Sequence, residues 1–241
     1  MIRTLSAVTL RSLLNRRRTI LLALASALVV LVAGLYRLSS PTDSEALSFT
    51  GQLLAEFGIG VVLPLVSVIV GTAAIGSEIE DGTIVYLLAK PIPRLTIVVV
   101  KLLVAWLVTC AIVVPGIWIA GVVGTGGDPD LGSAYAVAAI VGGLEYTAIF
   151  VALSLMTSRA LVVGLAYVVV WEGVVAALFA GTRLLSVRQH AVWVADALGG
   201  EGAVASDMGP QVLVVVALVT AGAFFIAVRR LERVELRGET G

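Results

Sequence analysis

The chain has 241 residues, of which 59% are hydrophobic and 13% are charged. Ordinary soluble domains are about 45–50% apolar and about 25% charged, so this composition excludes a soluble fold and indicates that lipid is the solvent. The formal net charge is zero, which argues against a nucleic-acid partner because phosphate binding needs a concentrated basic surface. A single cysteine, Cys110, excludes an intramolecular disulfide, and a single histidine, His190, leaves little for a transition metal.

Six apolar runs are long enough to cross a membrane, which takes about 20 residues. The first follows Arg16, Arg17 and Arg18 and is too long for the hydrophobic part of a signal peptide, so we predict an uncleaved span. The predicted fold is an all-α membrane protein that forms one transmembrane domain over residues 1–241. Its predicted spans are 19–36, 57–76, 97–123, 133–156, 160–180 and 212–228.

The basic residues predict the orientation, because lysine and arginine accumulate at the cytoplasmic ends of spans. With the amino terminus inside, 13 of the 16 basic residues lie on the cytoplasmic side, and only Arg37, Arg183 and Arg188 lie outside. The opposite topology would invert this ratio. We therefore expect a multi-pass protein of the cell membrane with both termini in the cytoplasm.

Two segments outside the spans are predicted to lie at the membrane surface. Residues 1–18 place apolar side chains among basic ones, which suits an interfacial helix in the inner headgroup layer, although a simple basic tail fits the same pattern. Residues 184–198, between spans five and six, form an amphipathic, helix-permissive segment that ends at Gly199 and Gly200. We expect this outer segment to lie on the outer surface or to dip into it.

The cytoplasmic loop between spans two and three predicts a further short helix over residues 77–89. Gly76 can close the second span, and Ser77 with Glu80 forms a capping-box pattern that starts a new helix. Pro91 restricts the residue before it, so the helix should end there. The apolar side chains of this helix are Ile84, Val85, Leu87 and Leu88. They fit either a groove on a partner protein or the membrane surface, and spacing alone leaves both open.

A longer pattern in this loop, E-x-E-D-G-T-x-x-x-L-L-A-K-P-I-P-R-x-x-I-x-x-x-K, runs from Glu78 to Lys101. It resembles the cytoplasmic loop of ABC-2 type transporter permeases, and the stretches Trp171-Glu172-Gly173 and Leu185-Ser186-Val187-Arg188-Gln189 are similar to that family as well. The resemblance implies a permease subunit of an ATP-binding cassette transporter, usually an exporter. Two such subunits, identical or different, would form the substrate pathway, with separate ATPase subunits docked beneath them.

The same resemblance implies that residues 77–89 are the coupling helix, which enters a groove of the ATPase subunit. The residues implied in this contact are Ser77, Glu78, Glu80, Asp81, Gly82, Thr83, Ile84, Val85, Leu87 and Leu88. Independently, the chain has no G-x-x-x-x-G-K-[ST] phosphate loop, and its two lysines, Lys90 and Lys101, follow no such glycine pattern. We therefore predict a non-catalytic subunit that binds no cofactor, with ATP and magnesium bound by the partner.

Two glutamates lie near the centres of predicted spans, Glu145 in 133–156 and Glu172 in 160–180, where a lone charge costs at least about 2.5 kcal/mol. Both are equally distant from the turn that joins the two spans, so they share a depth in an antiparallel hairpin. They form either a polar or proton-titrating site on the transport path or a structural clamp. Candidate partners for such a clamp are Tyr146, Thr147, Tyr167 and Trp171.

A competing function is a proton-coupled secondary transporter in which Glu145 and Glu172 relay protons across the membrane. Many secondary transporters contain inverted repeats, and none is visible between the two halves of this sequence. The sequence therefore favours the ATP-driven permease.

Overall fold

The computed structural model describes residues 6, 9–10, 13, 16–80, 82, 93–199 and 202–238. All regular structure in these ranges is helical, which confirms the all-α fold class. The α-helices are α1 Arg16–Leu38, α2 Asp43–Leu53, α3 Leu63–Glu80, α4 Arg94–Thr125, α5 Asp130–Ser154, α6 Ala160–Ala166, α7 Ala176–Leu178, α8 Val187–Gly199 and α9 Val212–Gly238. Two π-helical segments, Leu54–Val62 and Tyr167–Val175, join α2 to α3 and α6 to α7, and a 3₁₀ helix at Ala180–Leu185 precedes α8.

Five helices among the described residues are long and apolar enough to cross a membrane. They are Thr19–Leu38, Asp43–Ile79, Arg94–Thr125, Asp130–Ser154 and Val212–Arg233. In place of the predicted fifth span, 160–180, there is a shorter apolar helix, Ala160–Val175, and the chain leaves helical geometry at Phe179. The structure thus supports a multi-pass membrane protein, and the six-span layout stays a prediction.

The second spanning helix starts at Asp43, well before the predicted span boundary. Thr42 explains the early start, because it forms a capping box with Glu45. The Glu45 amide donates to the Thr42 hydroxyl (3.4 Å), and the Thr42 amide donates to Glu45 Oε2 (2.9 Å). Tyr36 of α1 stacks on Phe49 of α2 with ring centroids 3.7 Å apart, so the facing ends of these helices are packed together.

Helix α5 lies at the centre of the bundle, where it packs against α3, α4, α8 and α9. The side chains of Tyr135, Tyr146 and Phe150 on this helix are fully buried. Helices α4 and α5 approach closely at Gly121 and Gly132, where a Cβ on Gly121 would lie 2.3 Å from the Gly132 Cα atom. Helices α1 and α9 leave most of their apolar surface exposed, as expected of helices that face lipid.

The outer segment predicted between spans five and six forms α8, which follows the 3₁₀ helix. Helix α8 packs against α5, and Val187, His190, Ala191 and Ala195 on its inner face are buried. The segment therefore packs into the bundle and does not lie free on the surface. Most of the predicted interfacial helix at residues 1–18 lies outside the described residues.

Candidate functional site

The loop that carries the family resemblance begins at the end of α3. The structure differs from the sequence prediction here, because α3 continues through Gly76 and Ser77 to Glu80 without a break for a new helix. The Ser77 hydroxyl donates to the Ala73 carbonyl (2.8 Å), one turn back in α3, so it does not form the predicted cap. Gly82 has a φ of +68°, the left-handed conformation that commonly ends a helix. Six predicted ATPase contacts lie outside the described residues: Asp81, Thr83, Ile84, Val85, Leu87 and Leu88.

An ion pair joins the two helices that flank this loop. Lys101 of α4 is fully buried, and its ammonium group donates to Glu78 Oε1 (2.6 Å) and to the Ala74 carbonyl (2.7 Å). Ala74 and Glu78 are four residues apart and therefore lie on the same face of α3. A buried ammonium group needs such partners, because its removal from water is costly. Glu78, a predicted ATPase contact, thus also fastens the base of the loop to the bundle.

The two intramembrane glutamates are both buried, and a histidine that no motif singled out binds the first of them. The side chains of Glu145 and His190 have no exposed surface, and His190 Nδ1 lies 3.1 Å from each Glu145 carboxylate oxygen. The other ring nitrogen, Nε2, lies 3.0 Å from the Leu184 carbonyl oxygen. Helix α8 is thereby bonded to the centre of α5.

These contacts determine how many protons the pair holds. The Leu184 carbonyl can only accept a hydrogen bond, so His190 Nε2 carries a proton. One further proton lies between Nδ1 and the Glu145 carboxylate, on the ring or on the carboxyl group. Both distributions leave the pair electrically neutral, which avoids a net charge in the apolar interior.

Glu172 lies in the second π-helical segment, and its carboxylate accepts three hydrogen bonds. The Tyr167 hydroxyl (3.1 Å) and the Val187 amide (2.9 Å) donate to Oε1, and the Ser186 hydroxyl (2.5 Å) donates to Oε2. Val187 is the first residue of α8, so the carboxylate lies at the positive end of that helix. Glu172 therefore anchors the start of α8 to the segment that precedes it.

Two stretches that carry the family resemblance meet at this point. Trp171 Nε1 donates to the Leu185 carbonyl (3.2 Å), beside the bonds that Glu172 accepts. The stretches 171–173 and 185–189 therefore form one packed unit. The family pattern in this part of the chain thus has a structural explanation, which is the attachment of α8.

The turn between Ser186 and His190 connects the two glutamates. The His190 amide donates to the Ser186 carbonyl (3.1 Å), so the partners of Glu172 and Glu145 lie one helical turn apart, a rise of about 5.4 Å. Tyr146, next to Glu145 on α5, is fully buried. We refer to these residues as the polar cluster: Glu145, Tyr146, Tyr167, Glu172 and His190. The equal depth of the two carboxylates in the membrane stays a prediction.

Only part of the polar cluster was predicted from the sequence. Tyr167 donates to Glu172 as anticipated, whereas the Thr147 hydroxyl donates to the Gly143 carbonyl of its own helix (2.6 Å). His190 was missed because it lies 45 positions from Glu145 on another element. Its inward position on an amphipathic segment is the one signal that could have indicated a buried partner.

Polar contacts tie α8 to three other elements. His190 binds α5, the amide of Val187 binds the second π-helical segment, and the Arg188 guanidinium forms an ion pair (2.5 Å) with Glu56 in the first. Among the described residues there is no group of three or more histidine, cysteine, aspartate or glutamate side chains that could hold a metal ion. The arrangement is suited to holding one short helix inside the bundle with its charges neutralised.

The spanning helices and the enclosed polar cluster define a multi-pass membrane protein with ionisable residues buried in its interior. A family model described as ABC-2 family transporter protein matches residues 14–182, which is more than half of the chain. The chain therefore belongs to the ABC-2 family of transporter proteins, and the resemblance seen in its loop is confirmed. It is a membrane permease of an ATP-binding cassette transporter. A search of curated proteins gave no match.

Proposed function

We propose that this chain is one of two permease subunits of an exporter and that separate ATP-binding subunits drive it by docking on residues 77–89. The second permease subunit is either another copy of this chain or a related one. The observation that carries the proposal is the bond between Glu78 and Lys101, which fastens the base of the loop to the spanning helices. ATP and magnesium bind to the partner, and this chain supplies no catalytic group.

Force applied to the loop would reach the bundle through two helices at once. Because the Lys101 ammonium bonds both Glu78 and the Ala74 carbonyl, the last two turns of α3 are joined to α4. Both helices pack on α5, which contains Glu145. A displacement at the ATPase surface would therefore move α3 and α4 together and change the packing around the polar cluster.

The chemistry of the loop supports a protein partner more than a lipid surface. Acidic residues such as Glu80 and Asp81 stand at its start, where anionic lipid headgroups would repel them and basic side chains of a partner would attract them. Gly82 is exposed and has no side chain, so a partner backbone can approach closely. Leu87 and Leu88 then supply the apolar anchors that dominate the energy of such contacts.

We also propose that the protein lies in the cell membrane with both termini in the cytoplasm, on the basis of the 13 basic residues on that side. A cysteine placed at Glu80, in a chain whose Cys110 has been replaced, should react with an impermeant thiol reagent only from the cytoplasmic side. Reaction from the outer side would contradict this orientation.

The docking proposal is tested with the double variant Leu87→Asp, Leu88→Asp. Neither position lies in a predicted span, so membrane insertion should be unchanged. Recovery of the ATPase subunit in a detergent pull-down should fall at least tenfold, because each lost anchor weakens the contact by about 1–2 kcal/mol. Leu198→Asp is the matched control, since Leu198 is 57% exposed and lies on α8, away from this loop.

Equal recovery of the ATPase subunit with the double variant and with the wild type, together with undiminished transport, would show that residues 77–89 only cover the membrane surface. Loss of the ATPase subunit in the Leu198→Asp control would show that the effect is not specific to the loop. Either result would overturn the docking proposal.

A further inference from the structure

A groove runs beside α9 at the point where this helix leaves the apolar zone. The cavity has a volume of about 570 Å³, which is within the usual range of small-molecule sites. Met156, just after α5, forms one wall, and α9 forms the other with Phe225, Ile226, Arg229, Arg230, Glu232 and Arg233. Ser158 in the same turn as Met156 shares a small cavity with Ser77. The groove therefore lies at the end of the bundle that also holds the 77–89 loop.

In one stripe of the α9 wall, the charged side chains have partners within the same helix. Phe225, Arg229 and Glu232 follow one another at helical spacing. The Arg229 guanidinium lies 5.1 Å from the centre of the Phe225 ring and 3.9 Å from the Glu232 carboxylate. Arg229 therefore has partners within its own helix.

The charged side chains of the neighbouring stripe have no such partners among the described residues. Ile226, Arg230 and Arg233 also follow one another at helical spacing, and all three are exposed. In the part of the chain that the structure describes, no ion pair includes Arg230 or Arg233. Within the described residues, this stripe thus presents two guanidinium groups without an ion-pair partner, directly beside an apolar side chain at the end of a membrane-spanning helix.

We propose that this groove binds an anionic phospholipid, whose phosphate lies between Arg230 and Arg233 and whose acyl chain lies along Ile226 and Phe225. Guanidinium groups are suited to phosphate because they donate two parallel hydrogen bonds. The apolar half of the groove, formed by Ile226 and Phe225, is exposed. Lipid acyl chains are what the apolar side chains of a spanning helix normally contact. A soluble anion would use the arginines alone and would leave this apolar half uncovered.

The test is native mass spectrometry of the full chain purified in detergent and titrated with phosphatidylglycerol. Arg230→Gln and Arg233→Gln should each reduce the affinity for this lipid about fivefold, because one basic residue near an anionic headgroup contributes about that factor. Arg159→Gln is the matched control, since Arg159 is exposed in the turn beside Met156 but does not line the groove. Its effect should stay below about twofold. Arg230→Lys keeps the charge but loses the two parallel hydrogen bonds, so its affinity should lie between those of the wild type and Arg230→Gln.

Three outcomes would overturn the proposal. The first is equal loss of phosphatidylglycerol in Arg159→Gln and the groove variants, which would indicate general electrostatic attraction. The second is binding of zwitterionic phosphatidylcholine as tight as that of phosphatidylglycerol. The third is displacement of the lipid by inorganic phosphate at the same concentration, which would show that the acyl chain contributes nothing.

Discussion

Replacing His190 with leucine tests whether the buried Glu145 has a structural role or acts as a proton-titrating group. Glu145 would lose its only described side-chain partner while remaining fully enclosed. Removing the partner of a fully buried carboxyl group costs about 3 kcal/mol, because that group is left without a hydrogen-bond or charge partner. For a chain of this length a loss of about 3 kcal/mol lowers the unfolding temperature by about 6–12 °C.

Glu145→Gln should be much milder than His190→Leu. Neutral His190 keeps its Nε2 proton on the Leu184 carbonyl, and its Nδ1 lone pair can accept a hydrogen bond from the glutamine amide. The expected cost is below about 1 kcal/mol. The double variant Glu145→Leu, His190→Leu should recover most of the stability lost in His190→Leu, because it removes the unpaired buried carboxyl group, whereas the Leu184 carbonyl loses its bond from His190 in both variants.

The assay is thermal unfolding of the detergent-solubilised protein, followed by the loss of monodisperse protein in size-exclusion chromatography. An unfolding temperature for His190→Leu within about 2 °C of the wild type would refute the structural reasoning. A folded Glu145→Gln variant whose partner ATPase binds normally but no longer drives transport would instead favour a proton-titrating role for Glu145.

The remaining predictions concern the clamp and the close helix contact. Glu78→Ala leaves the buried Lys101 ammonium with the Ala74 carbonyl as its one described partner and should lower stability by about 3 kcal/mol. Lys101→Met should cost about 1 kcal/mol, because the Glu78 side chain is partly exposed whereas Lys101 is fully buried. Equal costs in thermal unfolding would be inconsistent with this asymmetry. Lys101→Met should also keep ATPase recovery in pull-downs while reducing transport, and unchanged transport would argue against force transfer through the clamp. Gly121→Ala should destabilise by at least about 2 kcal/mol, because its Cβ would lie 2.3 Å from the Gly132 Cα atom. Gly222→Ala meets no atom within 4 Å and should be neutral or stabilise by about 0.5–1 kcal/mol, so similar loss in both glycine variants would disprove the packing argument.

The membrane class and the family could be predicted because both depend on short stretches of sequence. An apolar run of about 20 residues is enough to indicate a span, whatever the rest of the chain does. The loop pattern from Glu78 to Lys101 is contiguous, so it could be compared with a family without knowledge of the fold. The burial of Glu145 and Glu172 also agrees with their positions near the centres of apolar runs.

Helix boundaries were less predictable where polar and apolar signals conflict. Ser77 and Glu80 match a capping box, yet the apolar face of α3 continues through them and the Ser77 hydroxyl bonds within its own helix. Conversely, the capping box at Thr42 is formed in the structure, although it precedes the apolar run that indicated the span. A cap motif is a local preference that packing of the neighbouring turns can override.

By itself the sequence determined that this chain is a helical membrane protein of the ABC-2 family, since hydrophobic length and a contiguous motif are local properties. Only the tertiary structure decided which buried ionisable side chains pair with one another. Glu78 meets Lys101 across 23 positions, and Glu145 meets His190 across 45, after α8 has packed back into the bundle. Such pairs depend on the rotation and packing of helices, which hydropathy does not specify because the spanning helices are apolar on nearly every face.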